Sequence, residues 1–348
     1  MVDYIIVGLG LAGTAFCETL RQNQKSFFVI SDQSQTSSIV AAGLSNPVIL
    51  KRFSLAWKAD ELLPLSQNFY PDLERQLKIK LVEDQPILRK FSSIEEQNMW
   101  FEASDKEVLK QFLSPQLVRN TNESLLAPFD FGKLMGAYRL RTESFLINYQ
   151  EKILSRDKFL SDTFDYSHLN VMGECIEYNG IRAKNLVFAE GFGIKKNPFF
   201  KYLPVQGSKG EYLVIKSTEL REQNAIKASI FVIPIETNLY LVGANYNSVD
   251  KDNIPSGETK QELLKKLEKM INCPYQVVGH VAGVRPTVKD RRPLLGTHPT
   301  QKRLHILNGF GSHGVMIAPW AAKELFYNIE QGTLMNDEVN IDRFQHLA

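Results

Sequence analysis

Cysteine is scarce. Among 348 residues there are three, Cys17, Cys175 and Cys273, with no Cys-x-x-Cys pair and no even disulfide framework. That spacing argues against a cysteine-rich zinc site and fits a reducing compartment. An excess of charge is also lacking. The 41 Lys and Arg against 39 Asp and Glu leave a net charge of +2, too little to draw nucleic acid or an anionic membrane by field alone. No apolar run reaches the ~18 residues that a membrane helix needs. The apolar stretch over residues 4–16 has Asp3 before it and no basic lead, and glycines interrupt it. It therefore reads as a buried strand and turn rather than a secretory signal, and the expected location is cytoplasmic. Repeats, low-complexity tracts and long linkers are missing too. The remainder is ordinary globular composition, 43% apolar and 23% charged, in a chain long enough for one large or two interlocked domains.

Two glycine-rich turns stand out, one near each end. Gly8-Leu9-Gly10-Leu11-Ala12-Gly13 follows the apolar run Tyr4–Val7, and Gly309-Phe310-Gly311-Ser312-His313-Gly314 follows Leu304–Leu307. Each reads as a strand feeding a helix. In the first, Gly8 permits the tight bend, Gly10 lets backbone approach a pyrophosphate, and Gly13 lets the helix pack on the strand. The helix start at Leu11 and Ala12 presents free N–H groups and partial positive charge to phosphates. An acidic residue roughly 20 residues beyond such a turn holds the adenosine ribose. Asp32 is the candidate, with Ser31 in the more usual place. The second turn opens a helix over residues 315–331, so Gly309, Gly311, Ser312, His313, Gly314, Val315 and Met316 line a second helix N-terminus. Two such turns suit a long flavin dinucleotide gripped at both ends, with the second N-terminus facing negative charge on the reduced ring.

Coarse periodicity places these turns in an α/β frame. Residues 3–32 read strand, helix (11–23), strand, a βαβ unit. Residues 33–47 read as a loop or short helix. A helix over 55–77 contains Pro64, a potential break or kink. Strands are expected at 80–82 and 86–91, a helix over 94–113, and a helix from Thr142 with Thr142 as its N-cap. A hairpin is expected at 170–181, a strand at 186–188, and strands at 210–215, 229–233 and 238–242. An amphipathic helix covers 260–270. This order predicts an α/β, doubly wound, Rossmann-like domain with an inserted, mostly antiparallel α+β domain; with the two glycine turns on the first, it is read as the FAD-binding domain and the insert as the substrate domain. Residues 1–80, 139–203 and 283–348 are assigned to the first, and 81–138 and 204–282 to the second.

Arg285 lies in Ala282-Gly283-Val284-Arg285-Pro286-Thr287 at the end of an apolar strand. Such an arginine either pairs with an internal carboxylate or faces a ligand carboxylate, which its planar fork suits. His313, inside the second turn, is either a capping residue or a group beside the flavin. The run Lys289-Asp290-Arg291-Arg292 reads as a solvated loop or a nucleic-acid contact.

With these residues in place, the chain resembles the D-amino-acid oxidase/glycine oxidase (DAO) family of FAD-dependent oxidoreductases along nearly its whole length. The first turn matches. So does Ser37-Ser38-Ile39-Val40-Ala41-Ala42-Gly43, where the family has a serine and small residues beside the flavin; this implies Ser38, Ala41, Ala42 and Gly43 as cofactor contacts. Leu186–Gly191 is similar to the family's strand ending in Ala-x-Gly, which adds Ala189 and Gly191. Leu241–Tyr246 resembles its substrate-domain strand. The stretches 282–296 and 308–325 follow its closing pattern, in which the arginine of Gly-x-Arg-Pro binds the substrate carboxylate, here Arg285. Locally the resemblance is to the oxidoreductase domain of the bifunctional enzyme that makes 5-methylaminomethyl-2-thiouridine in tRNA. There Gly-x-Gly-Ser-Arg-Gly is typical; this chain has His313 at the arginine, and Ser312 where glycine oxidases place a substrate-binding arginine. The methyltransferase half of the tRNA enzyme is not expected, since the dinucleotide turn begins at residue 8.

The resemblance implies non-covalent FAD and oxidation of a C–N bond. The amine's carboxylate would sit on Arg285, hydride would pass to flavin N5, and water would hydrolyse the imine. His313 is the second residue expected at the reacting centre. The substrate is a small amine or amino acid; the alternatives are a carboxymethylaminomethyl group on tRNA, a non-catalytic flavin protein, and an NAD-dependent dehydrogenase. The electron acceptor stays open.

Overall fold

The computed structural model describes residues 1–154 and 158–347. Strand β1 (Val2–Val7) buries Tyr4, Ile5, Ile6 and Val7, because it lies inside a sheet covered on both faces. It pairs in parallel with β2 (Phe27–Ile30) on one side and with Ile181–Phe188 on the other. Parallel neighbours need a crossover, and helix α1 (Leu11–Gln22) supplies it. This helix buries Phe16 and Leu20 completely, each worth about 1.5–3 kcal/mol of transfer free energy. Strand Leu304–Asn308 joins Ile181–Phe188 in parallel, and Phe159–Leu160 extends the edge at β2. Antiparallel pieces finish the sheet: Leu294–Thr297 beside 304–308, and the expected hairpin of Leu169–Val171 with Ile176–Tyr178. The doubly wound frame is therefore present, with both glycine turns at the C-terminal ends of parallel strands in one sheet.

The second sheet has eight strands, in the spatial order 276–285, 208–216, 239–243, 231–236, 225–227, 87–90, 131–134 and 113–118. Every pairing in it is antiparallel except that of Ala225–Lys227 with Ile87–Lys90. A small sheet of 44–45, 138–140 and 82–84 stitches the two visits of the chain together. The strand carrying Arg285, Gln276–Arg285, belongs to the second sheet to its last residue. The expected border at 282/283 thus falls inside a strand.

Several local expectations shift. Helix α2 (Ala59–Leu77) runs through both Pro64 and Pro71. Its buried row Leu62, Phe69, Leu73 and Leu77 outweighs the loss of two backbone donors. The helix expected over 94–113 stops at Ser104, and Leu113 already begins a strand. Thr142 does not cap its helix: the N-cap is Arg141, and the Thr142 hydroxyl donates to the Ala41 carbonyl at 3.0 Å. A tertiary acceptor has taken the hydroxyl that sequence assigns to a local amide.

Candidate functional site

The first glycine turn is closed by its neighbours. Gly8 sits at φ +96°, and a Cβ there would come 2.6 Å from the Ala189 carbonyl oxygen, so the bend admits glycine alone. The Gly8 amide donates to Ile30, and the Ala189 amide to Val7, at 2.9 and 2.8 Å. A Cβ at Gly13 would overlap the Gly8 carbonyl, which sets how closely α1 packs on the turn. A Cβ at Gly10 would come 2.9 Å from Ser38 Oγ. The Leu11 amide donates to that hydroxyl at 3.2 Å. Ala12 is half-buried against the core.

This helix start leaves donors open to an anion. It has no acidic residue in its first turn and no side-chain cap. Among the described residues, the Ala12 and Gly13 amides have no backbone partner. The Thr14 hydroxyl is fully buried with no partner either. Unpaired donors in a water-poor place cost free energy, and a phosphate laid across the turn would relieve it. The residues present fit the pyrophosphate of FAD.

Segment 36–43 crosses beside this turn as the short helix Thr36–Ser38 and an irregular stretch to Gly43. Its Ser38 reaches the helix start. Its later carbonyls are spent elsewhere: Ala41 on Thr142, and Ala42 on Arg139 Nε at 3.1 Å. Gly43 packs against the Leu140 carbonyl. Thr36 donates to the Ala282 carbonyl at 3.0 Å, and a Cβ at Gly283 would come 2.8 Å from Val40. The segment expected beside the flavin is thus the one wedged between the first turn and the Arg285 strand.

Asp32 and Ser31 come directly after β2. Asp32 accepts from the Ser34 amide at 2.9 Å and the Thr163 hydroxyl at 3.0 Å. Partial burial raises its carboxyl, but these donors outweigh that and hold it below the usual range. Ser31 accepts weakly from Gln33, at 3.4 Å. Sequence reasoning missed Glu190, the middle residue of Ala189-Glu190-Gly191. Its carboxylate takes hydrogen bonds from Tyr166 and from Asn197, the latter at 2.8 Å. Burial pushes it up to about 7. Gly191 accepts from Asn308 at 2.9 Å, tying this turn to the strand that feeds the second one.

The second turn places Gly309 at φ +81° against Val288 and Leu294. The Gly311 amide donates to Pro286 at 3.1 Å, which brings this turn onto the Arg285 segment. The helix Gly314–Gln331 starts with His313 as its N-cap residue, without a side-chain cap bond. Ser312 is exposed. Burial, helped by Arg291, lowers the His313 imidazole below its ordinary value, so it is neutral at pH 7. Val315 and Met316 bury their side chains in the core, and the Met316 amide is used by the His313 carbonyl. A Cβ at Gly314 would come 3.2 Å from Leu11 Cδ1; the two glycine turns lie side by side.

Of the two roles open to Arg285, the internal ion pair is not formed among the described residues. Among the described residues its guanidinium has no carboxylate partner; Nη1 reaches the Asn245 carbonyl at 3.4 Å, and the Tyr246 ring centroid lies 4.7 Å away. It lies across Gly210, where a Cβ would overlap it. Tyr212 lines the same face, and burial raises its phenol while the nearby Arg285 charge opposes the rise. Gly210 was the signal available in sequence, since glycine inside a strand marks a close approach. An unpaired guanidinium between a glycine floor and an aromatic ring can take a carboxylate by two points.

Comparison with known proteins bears on the family and the fold. The family model described as "DAO: FAD dependent oxidoreductase" matches residues 3–327. Glycine oxidase of Bacillus subtilis is 27% identical over a stretch covering 46% of this chain and 43% of that protein. The tRNA 5-methylaminomethyl-2-thiouridine biosynthesis bifunctional protein of Idiomarina loihiensis is 27% identical over 35% of this chain and 21% of its own length. The chain thus matches less than half of either relative. Among solved structures, glycine oxidase from Bacillus cereus superposes with TM-score 0.77 at 17% identity, covering 96% of both chains. Iminodiacetate oxidase from Chelativorans gives TM-score 0.77 at 16% identity, covering 98% of both. These likenesses establish the fold. Among the described residues no helix is long and apolar enough to cross a membrane. The glycine turns, their shared wall and the match over residues 3–327 place this chain in the DAO family of FAD-dependent oxidoreductases.

Proposed function

We propose that the protein oxidises the C–N bond of a small amine or amino acid that carries a carboxylate, of the glycine, D-amino-acid or N-substituted glycine type. The observation that carries this reading is Arg285, a guanidinium without a carboxylate partner among the described residues, flanked by the segment beside the first turn at Gly283 and by the second turn at Pro286. FAD, when bound, supplies the hydride acceptor. The chain supplies position. The Gly8–Gly13 turn, the free amides of Ala12 and Gly13, Ser38 and the Asp32/Ser31 pair hold the dinucleotide. The helix start at Gly314 and the neutral His313 lie at the ring end.

Arg285 fixes the substrate by its carboxylate, with the Tyr246 ring centroid 4.7 Å from the guanidinium as a cation–π neighbour. Two-point binding of the carboxylate restricts the orientations in which the α-carbon is presented, which lowers the entropic part of the barrier.

The test is a visible spectrum without oxygen, before and after a panel of N-substituted glycines and D-amino acids. Bleaching by one class identifies the substrate type. A flavin spectrum that no free amine changes removes this reading. A second reading, an amine carried on tRNA, draws support from an aromatic cluster with basic side chains. Trp57 and Trp320 lie edge to face at 5.5 Å, with Lys58 and Arg292 against them; Glu338 accepts from Trp57 and pairs with Arg292, and Glu61 pairs with Lys58. Trp320 is on the helix that His313 opens. Salt-dependent tRNA binding lost in a Lys58→Ala, Arg292→Ala double variant would favour it.

A further inference from the structure

We propose that Glu211 and Lys209 are positioning residues: from the far side of the sheet they anchor the loop of residues 245–256 that walls the Arg285 guanidinium. The inference rests on the carboxylate-clamp reading of Arg285. Strand Ser208–Lys216 alternates its faces. Gly210 and Tyr212 face Arg285, whereas Lys209 and Glu211 point the other way. Both are buried, at 2% and 0% exposure, where charged side chains are rare unless paired.

Their partners come almost entirely from the loop. Glu211 accepts from the Ser256 amide at 2.8 Å and the Ser256 hydroxyl at 3.3 Å. Its own amide donates to Asn245 Oδ1 at 2.9 Å. Lys209 donates from Nζ to Asp252 at 2.6 Å and lies 3.8 Å from Glu211. Its backbone exchanges two hydrogen bonds with Asn247, at 2.8 and 2.9 Å. The loop is thus held at residues 245, 247, 252 and 256 by two residues of one strand. His280 Nε2 stands 2.9 Å from the Glu211 carboxylate on its remaining side.

The loop in turn makes the wall of the clamp. Asn245 accepts from Arg285 and Tyr246 covers it. Asn253 accepts from the Val284 amide at 3.3 Å and donates to Ser34 at 3.0 Å, bridging the two sheets' segments. Apolar burial does not hold the loop: Tyr246, Val249 and Ile254 are 72%, 82% and 69% exposed. Its place depends on the polar anchor beneath it. An uncharged Gln at 211 keeps the shape but cannot accept at both oxygens, and its amide group faces Lys209 and His280 as a donor.

The test compares the FAD-bound wild type with Glu211→Gln, using amide hydrogen exchange and titration with acetate, followed by the flavin absorbance change. Exchange over residues 245–256 should quicken at least tenfold, and acetate should bind at least tenfold more weakly, with flavin content retained. Exchange unchanged in that segment overturns the proposal. Faster exchange with unchanged acetate binding overturns the link from loop to clamp. If Arg285→Ala binds acetate as wild type does, the clamp reading fails instead, and the exchange result still decides the anchoring. Should Glu211→Gln not fold, Asp252→Asn, at an exposed carboxylate, loosens the same anchor and should quicken exchange around residues 250–254.

Discussion

The Arg285 guanidinium lies flat over Gly210, in space that a side chain at residue 210 would fill. Two strands that pair in register, with Ser208 opposite Arg285 and Gly210 opposite Gly283, create the slot. Gly210 and Gly283 face the same side of the sheet, where the first leaves room for the arginine and the second for segment 36–40.

Substitution at either member of this pair should separate charge from geometry. Arg285→Ala removes a charge-assisted, two-point contact, and the half-saturating amine concentration should rise about 10–100-fold while flavin stays bound. Gly210→Ala keeps the charge but displaces it, at a packing cost of about 1–3 kcal/mol. Steady-state kinetics on both variants should show the rise; unchanged amine turnover in Arg285→Ala would dismiss the clamp.

Gly10→Val should abolish flavin content. A side chain there meets Ser38 Oγ at once and stands where a pyrophosphate must approach. The ratio of flavin to protein absorbance reads the outcome, and a fully yellow variant rules out this turn as the dinucleotide site. Gly8→Ala should add a stability loss of about 1–3 kcal/mol from its left-handed backbone, visible in thermal unfolding.

Glu190 carries a pH prediction. Its folded value of about 7 lies above the ordinary 4.5. A raised pKa means stability fully present below pH 4.5 and lost as pH rises through about 7, by at most roughly 3 kcal/mol. Glu190→Gln stays neutral, so its melting temperature should fall less than that of wild type between pH 5 and 8. Parallel curves for the two proteins would contradict the burial account.

His313 is held neutral by burial above its lowered pKa. His313→Gln should therefore change turnover without altering the shape of the pH–rate profile between pH 7 and 9. Loss of an ionisation in that range would show that His313 titrates during the reaction.

The βαβ start, the two glycine turns, the flavin and the family are legible in the order of residues alone. Those features are local: a strand that must be apolar, a bend that only glycine enters, a helix start left without a cap. Arg285 and Asp32 stand out the same way, because motifs keep residue types at fixed spacing; Ser38 stands out only through the family resemblance. Their partners come from packing across the whole chain. Whether Arg285 faced an internal carboxylate depended on Asn245, Tyr246 and Gly210, which other segments deliver. Thr142 gave its hydroxyl to Ala41, and α2 kept its path through two prolines, because tertiary packing outweighed local preference. The Lys209–Glu211 anchor was silent for the same reason. A buried charge is recognised by its surroundings, and these come from a loop more than 30 residues downstream, brought to it by the antiparallel register of the second sheet.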